Sequence, residues 1–232
     1  MHALVRATTL VAKIDLTPIL KILEYVIYGA MALSATYGLY CIVLLMRRAK
    51  QKSFPGRAAA DEFLTEVGEL LEKNDFDGVI DACDSPEVWS RAVPQLVQVA
   101  VENRNKPIKK IKSITGEFFS REILGEFDGR TAWVNTIVKA APMLGLLGTV
   151  AGMIAAFGKI AGTGESGVKP SDLAADISFA LSTTAGGLSI AIPLVILGSI
   201  TAARINGLQD EVQEHLGTFF DDLEAAQVRA SS

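Results

Sequence analysis

The sequence predicts an all-α integral membrane protein with three transmembrane helices and a helical cytoplasmic domain. Half of the 232 residues are hydrophobic, yet aromatic residues make up only 7%, which is unlike the core of an ordinary soluble domain. The apolar residues concentrate in three uncharged blocks, 25–46, 140–158 and 177–203. Each block has about the 18 residues that a helix needs to cross a bilayer. Each must be helical, because a bilayer core offers no water to satisfy backbone groups.

The first apolar block predicts a first transmembrane helix over residues 22–46. It starts after about twenty residues, is too long for the apolar region of a signal peptide and lacks a small-residue cleavage site. We therefore expect a retained anchor. In the preceding segment, residues 1–21, Thr17-Pro18 and the apolar residues that follow have the composition of an amphipathic helix on the membrane surface.

The basic residues predict the orientation of the chain. Five of them follow the first block at once: Arg47, Arg48, Lys50, Lys52 and Arg57. The link between the second and third blocks has Lys169 against Glu165 and Asp172. Because basic residues mark the cytoplasmic side, we expect a periplasmic N-terminus, a cytoplasmic domain over 47–133, and a second transmembrane helix over 134–160. A periplasmic hairpin over 161–172, a third transmembrane helix over 173–203 and a cytoplasmic C-terminal helix and tail over 204–232 complete this prediction.

The segment between the first two spans is predicted to be helical. Phe63, Val67 and Leu71 recur at helical spacing, and Asn74-Asp75 interrupts them before a short helix near residues 79–83. Ser85-Pro86-Glu87 predicts an N-cap and the first turn of a further helix, in which Pro94 should produce a kink or a break. Apolar positions from 108 to 124 predict a long helix leading into the second span.

Beyond the third span, apolar residues continue in steps of three and four from Ile205 to Leu223. The third transmembrane helix is therefore predicted to extend into the cytoplasm with one apolar stripe. Such a stripe needs a covering surface, which is either the chain's own cytoplasmic helices or the same helix of neighbouring subunits. The sequence leaves both possibilities open.

Several classes of function are disfavoured by composition. The net charge is −4, and no Lys/Arg stripe with interleaved aromatics indicates a nucleic-acid partner. Cys41 and Cys83 form neither a disulfide framework nor a metal-binding pattern, and His2 and His215 are isolated. The run starting at Gly145 lacks the Gly-Lys-Ser/Thr ending of a phosphate loop. We therefore expect no cofactor, no metal and no enzymatic activity.

The second and third blocks are rich in small and polar residues. Spacings such as Gly148 to Gly152 and Thr183 to Gly187 allow helices to approach closely. Close packing alone would explain them, but hydroxyls at mid-membrane are also able to bond water or a partner carboxylate in a polar channel. The candidates for helix packing and kinks are Pro142, Gly145, Gly148, Gly152, Gly187 and Pro193, and those for a proton pathway are Thr149, Thr183, Thr184 and Asp176.

Two motifs carry a resemblance to a known family. Residues 141–153, Ala-Pro-Met-Leu-Gly-Leu-Leu-Gly-Thr-Val-Ala-Gly-Met, strongly resemble the second-span signature of the ExbB/TolQ branch of the MotA/TolQ/ExbB proton-channel family. Residues 176–193, Asp-Ile-Ser-Phe-Ala-Leu-Ser-Thr-Thr-Ala-Gly-Gly-Leu-Ser-Ile-Ala-Ile-Pro, are similar to its third-span signature. The motifs cover about residues 133–203, and the three-span layout agrees with the family.

The resemblance implies a function. It implies a bacterial inner-membrane motor subunit that forms a homo-pentamer around two transmembrane helices of a single-span ExbD/TolR-type partner, which supplies a membrane aspartate. On this basis Thr149 and Thr184 line the inner cavity, and proton flow is converted into mechanical work in the cell envelope. The alternatives are a homo-oligomeric membrane scaffold without proton coupling and a flagellar-stator-like, ion-driven motor subunit. A channel that conducts ions alone ranks last.

One position departs from the family pattern. The ExbB/TolQ third span usually has a glutamate where this sequence has Phe179, which cannot titrate. Asp176 lies one helical turn earlier and would share its face, so it is a candidate replacement at the periplasmic mouth of a channel. The other interpretation, which we favour from sequence, makes Asp176 an interfacial helix N-cap.

Overall fold

The fold is entirely helical in the described part of the chain. The computed structural model describes residues 17–162 and 169–231, so the predictions made for residues 1–16 and for the tip of the hairpin at 163–168 lie outside it. Within the described ranges the elements are α1 (Thr17–Lys52), α2 (Arg57–Glu72), α3 (Phe76–Cys83), α4 (Ala92–Glu102), α5 (Ile108–Phe118), a π-helical segment (Phe119–Leu124), α6 (Gly125–Gly162) and α7 (Pro170–Ser231).

Three of these helices are long and apolar enough to cross a membrane. They include the segments Pro18–Lys52, Ile108–Ala161 and Pro170–Arg229. The second of these runs from α5 through the π-helical segment into α6, as expected from the apolar positions of the sequence. The predicted class, all-α with three candidate transmembrane helices, is therefore confirmed.

The chain forms two compact units, and α1, α6 and α7 contribute to both. The described residues of the first unit are 17–40, 134–162 and 169–196, and those of the second are 41–133 and 197–231. The first unit contains most of the apolar span sequence, and the second contains the four short helices between α1 and α6. Each unit has its own packing.

In the first unit, small residues let the three helix segments approach one another. A Cβ added at Gly38 of α1 would lie 2.9 Å from Leu194 Cδ1 of α7, and one added at Gly186 would lie 2.7 Å from Met31 Cε. Large apolar side chains such as Leu146 remain exposed in the single chain. An apolar surface of this kind is suited to lipid or to other membrane helices.

In the second unit, α2 and α3 bury one face each. The buried residues of α2 are Ala60, Phe63, Val67 and Leu71, which matches the helical spacing in the sequence. The chain turns at Asn74, which has a left-handed φ of 53°, and α3 then begins after Asp75. The Asp75 carboxylate accepts a hydrogen bond from the Gly78 backbone N–H at 3.0 Å, so it caps the helix.

The C-terminal part of α7 completes the core of the second unit. Its apolar stripe is buried: Ile205, Leu208, Val212, Leu216, Phe219 and Leu223. Gln227 Nε2 donates to the Arg104 carbonyl at 2.7 Å, and Lys112 Nζ lies 5.5 Å from the centre of the Phe220 ring. The predicted continuation of the third apolar helix is confirmed, and the chain's own helices cover the stripe.

The sequence interpretation was wrong about the start of α4. Residues 84–91 form turns, with the Val88 and Trp89 backbone N–H groups both donating to the Ser85 carbonyl at 3.0 Å. The helix begins only at Ala92. Pro94 therefore lies in the first turn, where its missing N–H removes no intrahelical hydrogen bond. It produces neither a kink nor a break.

Candidate functional site

The candidate site is built on a seam of glycines between α6 and α7. A Cβ added at Gly145 would lie 2.8 Å from the Thr183 carbonyl oxygen, and one added at Gly152 would lie 2.8 Å from the Asp176 carbonyl oxygen. From the opposite side, a Cβ at Gly187 would lie 2.6 Å from the Ala141 carbonyl oxygen. Contacts this short exclude any side chain, so the two backbones touch along the seam.

Two threonine hydroxyls meet across this seam. Thr149 Oγ1 and Thr184 Oγ1 form a hydrogen bond with each other. Thr149 Oγ1 also lies 3.2 Å from the Ala180 carbonyl oxygen, and Thr184 Oγ1 lies 3.2 Å from the Gly145 carbonyl oxygen. Two hydroxyl donors therefore share a small set of acceptors, and the seam is what brings these groups within reach.

Thr183 is close to this pair but differs from it. Its side chain is fully buried, and its hydroxyl donates to Ala180 and Phe179 carbonyls of its own helix, at 2.9 and 3.2 Å. It fills the space beside Gly148, where a Cβ would meet its side-chain atoms. The structure therefore gives Thr183 a packing position, while its predicted role in a proton pathway stays a prediction.

The two candidate prolines lie inside long helices. Pro142 is in α6 and Pro193 is in α7. Each removes one i to i−4 hydrogen bond from its helix, which frees a backbone carbonyl within an apolar stretch. Both helices nevertheless continue through these positions.

An ion pair lies on the same two helices. Lys159 Nζ of α6 donates to Asp176 Oδ1 of α7 at 2.8 Å and lies 2.7 Å from Oδ2. It also donates to the Asp172 carbonyl oxygen at 3.4 Å. Because α7 begins at Pro170, Asp176 is inside the helix and the N-cap interpretation favoured from sequence is wrong. Its carboxylate is mostly buried and paired, which lowers the cost of placing it next to apolar spans.

In the described part of the chain, no group of three or more His, Cys, Asp or Glu side chains is arranged to hold a metal ion. The chemistry available to the seam is therefore that of hydroxyls, backbone carbonyls and one ion pair. Hydroxyls and carbonyls are the groups that exchange hydrogen bonds with water or with a carboxyl group inside a membrane.

Comparison with known proteins places this arrangement in a family. The sequence pattern of the MotA/TolQ/ExbB proton channel family matches residues 90–214, more than half of the chain. The protein belongs to this family. The match includes the whole of the glycine seam, the two hydroxyls and the ion pair.

Individual relatives come from the ExbB and TolQ branches. An ExbB homologue from Methanothermobacter thermautotrophicus is 25% identical over 181 residues, 78% of this chain and 62% of its own length. The Tol-Pal system protein TolQ of Haemophilus influenzae is 28% identical over 171 residues, 74% of this chain and 72% of its own. A biopolymer transport protein of the ExbB type from Vibrio cholerae is 36% identical over 87 residues, 38% of each chain.

These relatives support the ExbB/TolQ-like assignment within the MotA/TolQ/ExbB family. The alignment spans less than two thirds of the archaeal relative, at 62%. Together with the three apolar helices, membership of the family supports a multi-pass protein of the inner membrane.

Phe179, at the position where the third-span resemblance implies a glutamate, lies on the side of α7 that meets α1. Its ring packs edge-on against Tyr28 of α1, with 5.8 Å between the ring centres. The Tyr28 hydroxyl is 2.8 Å from Ser182 Oγ, one turn further along α7. In this chain of the MotA/TolQ/ExbB family, residue 179 therefore contacts α1 and carries no charge.

Lys159 and Tyr28 were not predicted from the sequence as parts of the site. Lys159 is a charged residue at the end of an apolar block, and Asp176 is the acid closest to the start of the next. Opposite charges on the two sides of a short hairpin were the available signal. Tyr28 gave no such signal, because a tyrosine in an apolar span is ordinary at the membrane interface.

Proposed function

We propose that the protein is an ExbB/TolQ-like subunit of an inner-membrane, proton-driven motor. In this proposal five copies form a shell around the transmembrane helices of a single-span ExbD/TolR-type partner, with two copies of that partner. The shell and its partner convert proton-motive force into mechanical work in the cell envelope. The observation that carries the proposal is the hydrogen-bonded pair of Thr149 and Thr184 between two membrane-length helices.

The hydroxyl pair is suited to serve a carboxyl group that changes its protonation state. Each hydroxyl has one donor and two acceptor positions. When one hydroxyl donates to the other, the second is left to donate to the Gly145 or Ala180 carbonyl. Either hydroxyl is able to rotate and donate to an ionised carboxylate, and its oxygen is able to accept a hydrogen bond from the O–H of a neutral acid. The pair thus responds to both forms without moving the backbone.

The titrating group of this motor is proposed to come from the partner. Residues 25–46, 140–158 and 177–203 contain no acidic residue. The carboxylate of Asp176 lies just outside the third of these blocks and is held by Lys159. A partner aspartate that passes the hydroxyl pair would be stabilised as an anion by donation from threonine, and it would lose its charge on protonation. That cycle lets it move through a low dielectric.

Replacing the two hydroxyls by methyl groups tests the proposal. Thr149→Val and Thr184→Val keep the shape of the side chain and remove one donor each. A hydrogen bond to a charged group contributes about 1.5–3 kcal/mol, so each variant should lower proton flux roughly ten- to hundredfold. Flux is measured with a pH-sensitive dye in proteoliposomes that contain the chain and its co-purified partner.

The matched control is Thr36→Val. The Thr36 hydroxyl is exposed and donates only to the Ala32 carbonyl of its own helix, at 2.9 Å. This variant should conduct protons like the unmodified complex. Native mass spectrometry should give the same assembly for all three variants. Unchanged proton flux in both Thr149→Val and Thr184→Val would contradict the proposed role of the seam.

A homo-oligomeric scaffold without proton coupling is the second candidate function. The observation that favours it is the packing of Phe179 against Tyr28, which puts an apolar contact at the usual glutamate position. A scaffold would tolerate the loss of both hydroxyls and would not retain an aspartate-bearing, single-span partner. Native mass spectrometry of the complex from its own membranes separates the two functions, since the motor requires that partner.

The membrane topology belongs to the same proposal. The basic residues after the first apolar block, Arg47, Arg48 and Lys50 among them, support a cytoplasmic second unit. The N-terminus would be periplasmic and the C-terminus cytoplasmic, with spans over 22–46, 134–160 and 173–203. Protease protection in spheroplasts and in inverted vesicles tests this orientation directly.

A further inference from the structure

A large acidic cleft lies in the second unit, between α2 and the C-terminal part of α7. Its volume is about 950 Å³, which is the size of a site that accepts several side chains or a small ligand. Seven acidic residues line it, against two arginines, Arg57 and Arg229. The acidic residues are Asp61, Glu69, Glu72, Asp210, Glu211, Glu214 and Asp222. The cleft therefore carries a strong excess of negative charge.

The charge of the cleft is only partly compensated inside the chain. The one ion pair recorded between its lining residues is Arg229 with Glu72, at 4.0 Å and with both side chains exposed. Burial raises the pKa of the Asp222 carboxyl, and the neighbouring Asp221 and Glu72 carboxylates raise it further against the influence of Arg229. A carboxyl group whose pKa is raised by neighbouring carboxylates lies where an additional cation would be stabilising.

A buried histidine lies in the wall of the cleft. His215 is 6% exposed and lines the cleft, and its Nδ1 has no hydrogen-bond partner among the described residues. A buried polar atom without a partner costs roughly 1–3 kcal/mol. The Nδ1 atom itself has almost no accessible surface, so this cost belongs to the wall of the cleft.

The same unit carries a basic helix face that matches the cleft in charge. Lys109 and Lys110 of α5 are exposed, while the opposite face of the helix buries Ile111 and Thr115. Lys106 precedes them in the chain and is exposed as well, with its ammonium donating to Asn103 Oδ1 at 2.7 Å. The described part of the second unit thus presents an acidic cleft and a basic helix face.

We infer that the acidic cleft of one subunit receives the basic face of α5 from a second copy of the chain. Lysine ammonium groups at 109 and 110 would pair with carboxylates such as Asp210 and Glu214. The two surfaces are different parts of the same chain, so the contact is head-to-tail. A contact of this kind closes into a ring when its rotation fits, which is what a pentameric shell requires.

This inference rests on the self-association contained in the proposed function, and the test separates the two. The full-length chain in its native membranes is treated with a water-soluble carbodiimide, which joins a carboxylate directly to an amine in contact with it. We expect a ladder of covalent multimers on a denaturing gel. Peptide mass spectrometry of the ladder should identify Lys109 or Lys110 joined to an acid of the cleft.

The test variant is the double substitution Lys109→Arg and Lys110→Arg. It keeps both positive charges, and therefore the assembly, but removes both reactive amines. The ladder should fall at least fivefold, while native mass spectrometry should show an unchanged oligomer. The control Lys139→Arg, at an exposed lysine of the first unit, should leave the ladder intact.

Two results would overturn the inference in different ways. The proposed contact would be wrong if the oligomer is intact but the double substitution leaves the ladder unchanged. It would also be wrong if the acids of the cleft are cross-linked only to lysines of the same chain. Either result leaves the motor proposal unaffected. A chain that is monomeric in native mass spectrometry, with no ladder, removes both. A second variant, Asp210→Asn with Glu214→Gln, should also weaken the ladder if these carboxylates are the partners.

Discussion

Adding a single methyl group at Gly148 should disrupt the seam between α6 and α7. In Gly148→Ala the new Cβ would lie 2.5 Å from Thr183 Cβ and 2.8 Å from Thr183 Cγ2. Carbon atoms in ordinary contact are about 3.5–4.0 Å apart, so the helices must separate locally by about 1 Å. Overpacking of this kind costs about 1–3 kcal/mol, which corresponds to a fall in Tm of roughly 2–12 °C for a chain of this size.

The assay is thermal denaturation of the detergent-purified, full-length chain, followed by far-ultraviolet circular dichroism. Gly158→Ala is the matched control, because a Cβ at Gly158 of the same helix meets nothing within 4 Å. Combining Gly148→Ala with Thr183→Gly moves the glycine across the seam. The double variant should therefore lose less stability than the sum of the losses in the two single variants. Equal Tm values for Gly148→Ala and Gly158→Ala would refute the close approach of the helices.

Three further predictions concern the ion pair, a buried thiol and a helix cap. Lys159→Met should lower the free energy of unfolding by about 3 kcal/mol because it leaves the Asp176 carboxylate unpaired. Adding Asp176→Leu should restore most of the lost stability. A Tm that Lys159→Met leaves unchanged would contradict this prediction. Burial raises the pKa of the Cys83 thiol from 9.0 to about 12, so maleimide should react with the folded chain at pH 8 roughly a thousandfold more slowly than with the unfolded chain. Prompt labelling of Cys83 in the folded chain would contradict this prediction. Because the Cys83 thiol loses its proton at a lower pH in the unfolded chain than in the folded chain, the free energy of unfolding should fall as the pH rises from about 9 toward 12. Asp75→Ala should cost about 1 kcal/mol by removing the acceptor for the Gly78 N–H, measured by the same thermal denaturation, with no change expected if the cap contributes nothing.

The long helices were predictable from sequence because their cause is local. A run of about twenty apolar residues has one stable form in a bilayer, and the three runs became α1, α6 and α7. The close approach of α6 to another helix was also predictable from a local pattern. Gly148 and Gly152 are one turn apart and leave one face of α6 without side chains. What the pattern indicates is a surface suited to close approach.

The partners across that surface were not predictable in the same way. Which residue of α7 faces Thr149 depends on the register between α6 and α7, and apolar spans have little in their sequence that fixes register. The residue pattern made both Thr183 and Thr184 candidates, and only the family resemblance favoured Thr184. In the structure Thr183 packs beside Gly148, while Thr184 is bonded to Thr149. The pairing of Asp176 with Lys159 depends on the same register, and this is why an N-cap was the simpler expectation.

The start of α4 shows a second limit. Ser85-Pro86-Glu87 has the residue types of a helix start, but the helix forms only where an apolar face is buried. In α4 that face starts at Ala92, Val93 and Pro94, all buried. Local capping preferences are worth about 1 kcal/mol, which is less than the burial of several apolar side chains.

The seam restricts where movement is able to occur in the proposed motor. Sliding α6 along α7 would break the hydrogen bonds of Thr149 with Ala180 and of Thr184 with Gly145. It would also drive the Thr183 side chain against the backbone on either side of Gly148, where there is no room for another carbon. The two helices should therefore move as one element. Work that depends on the hydroxyl pair would then arise from motion between this element and a partner helix, with the seam as the fixed side of the contact.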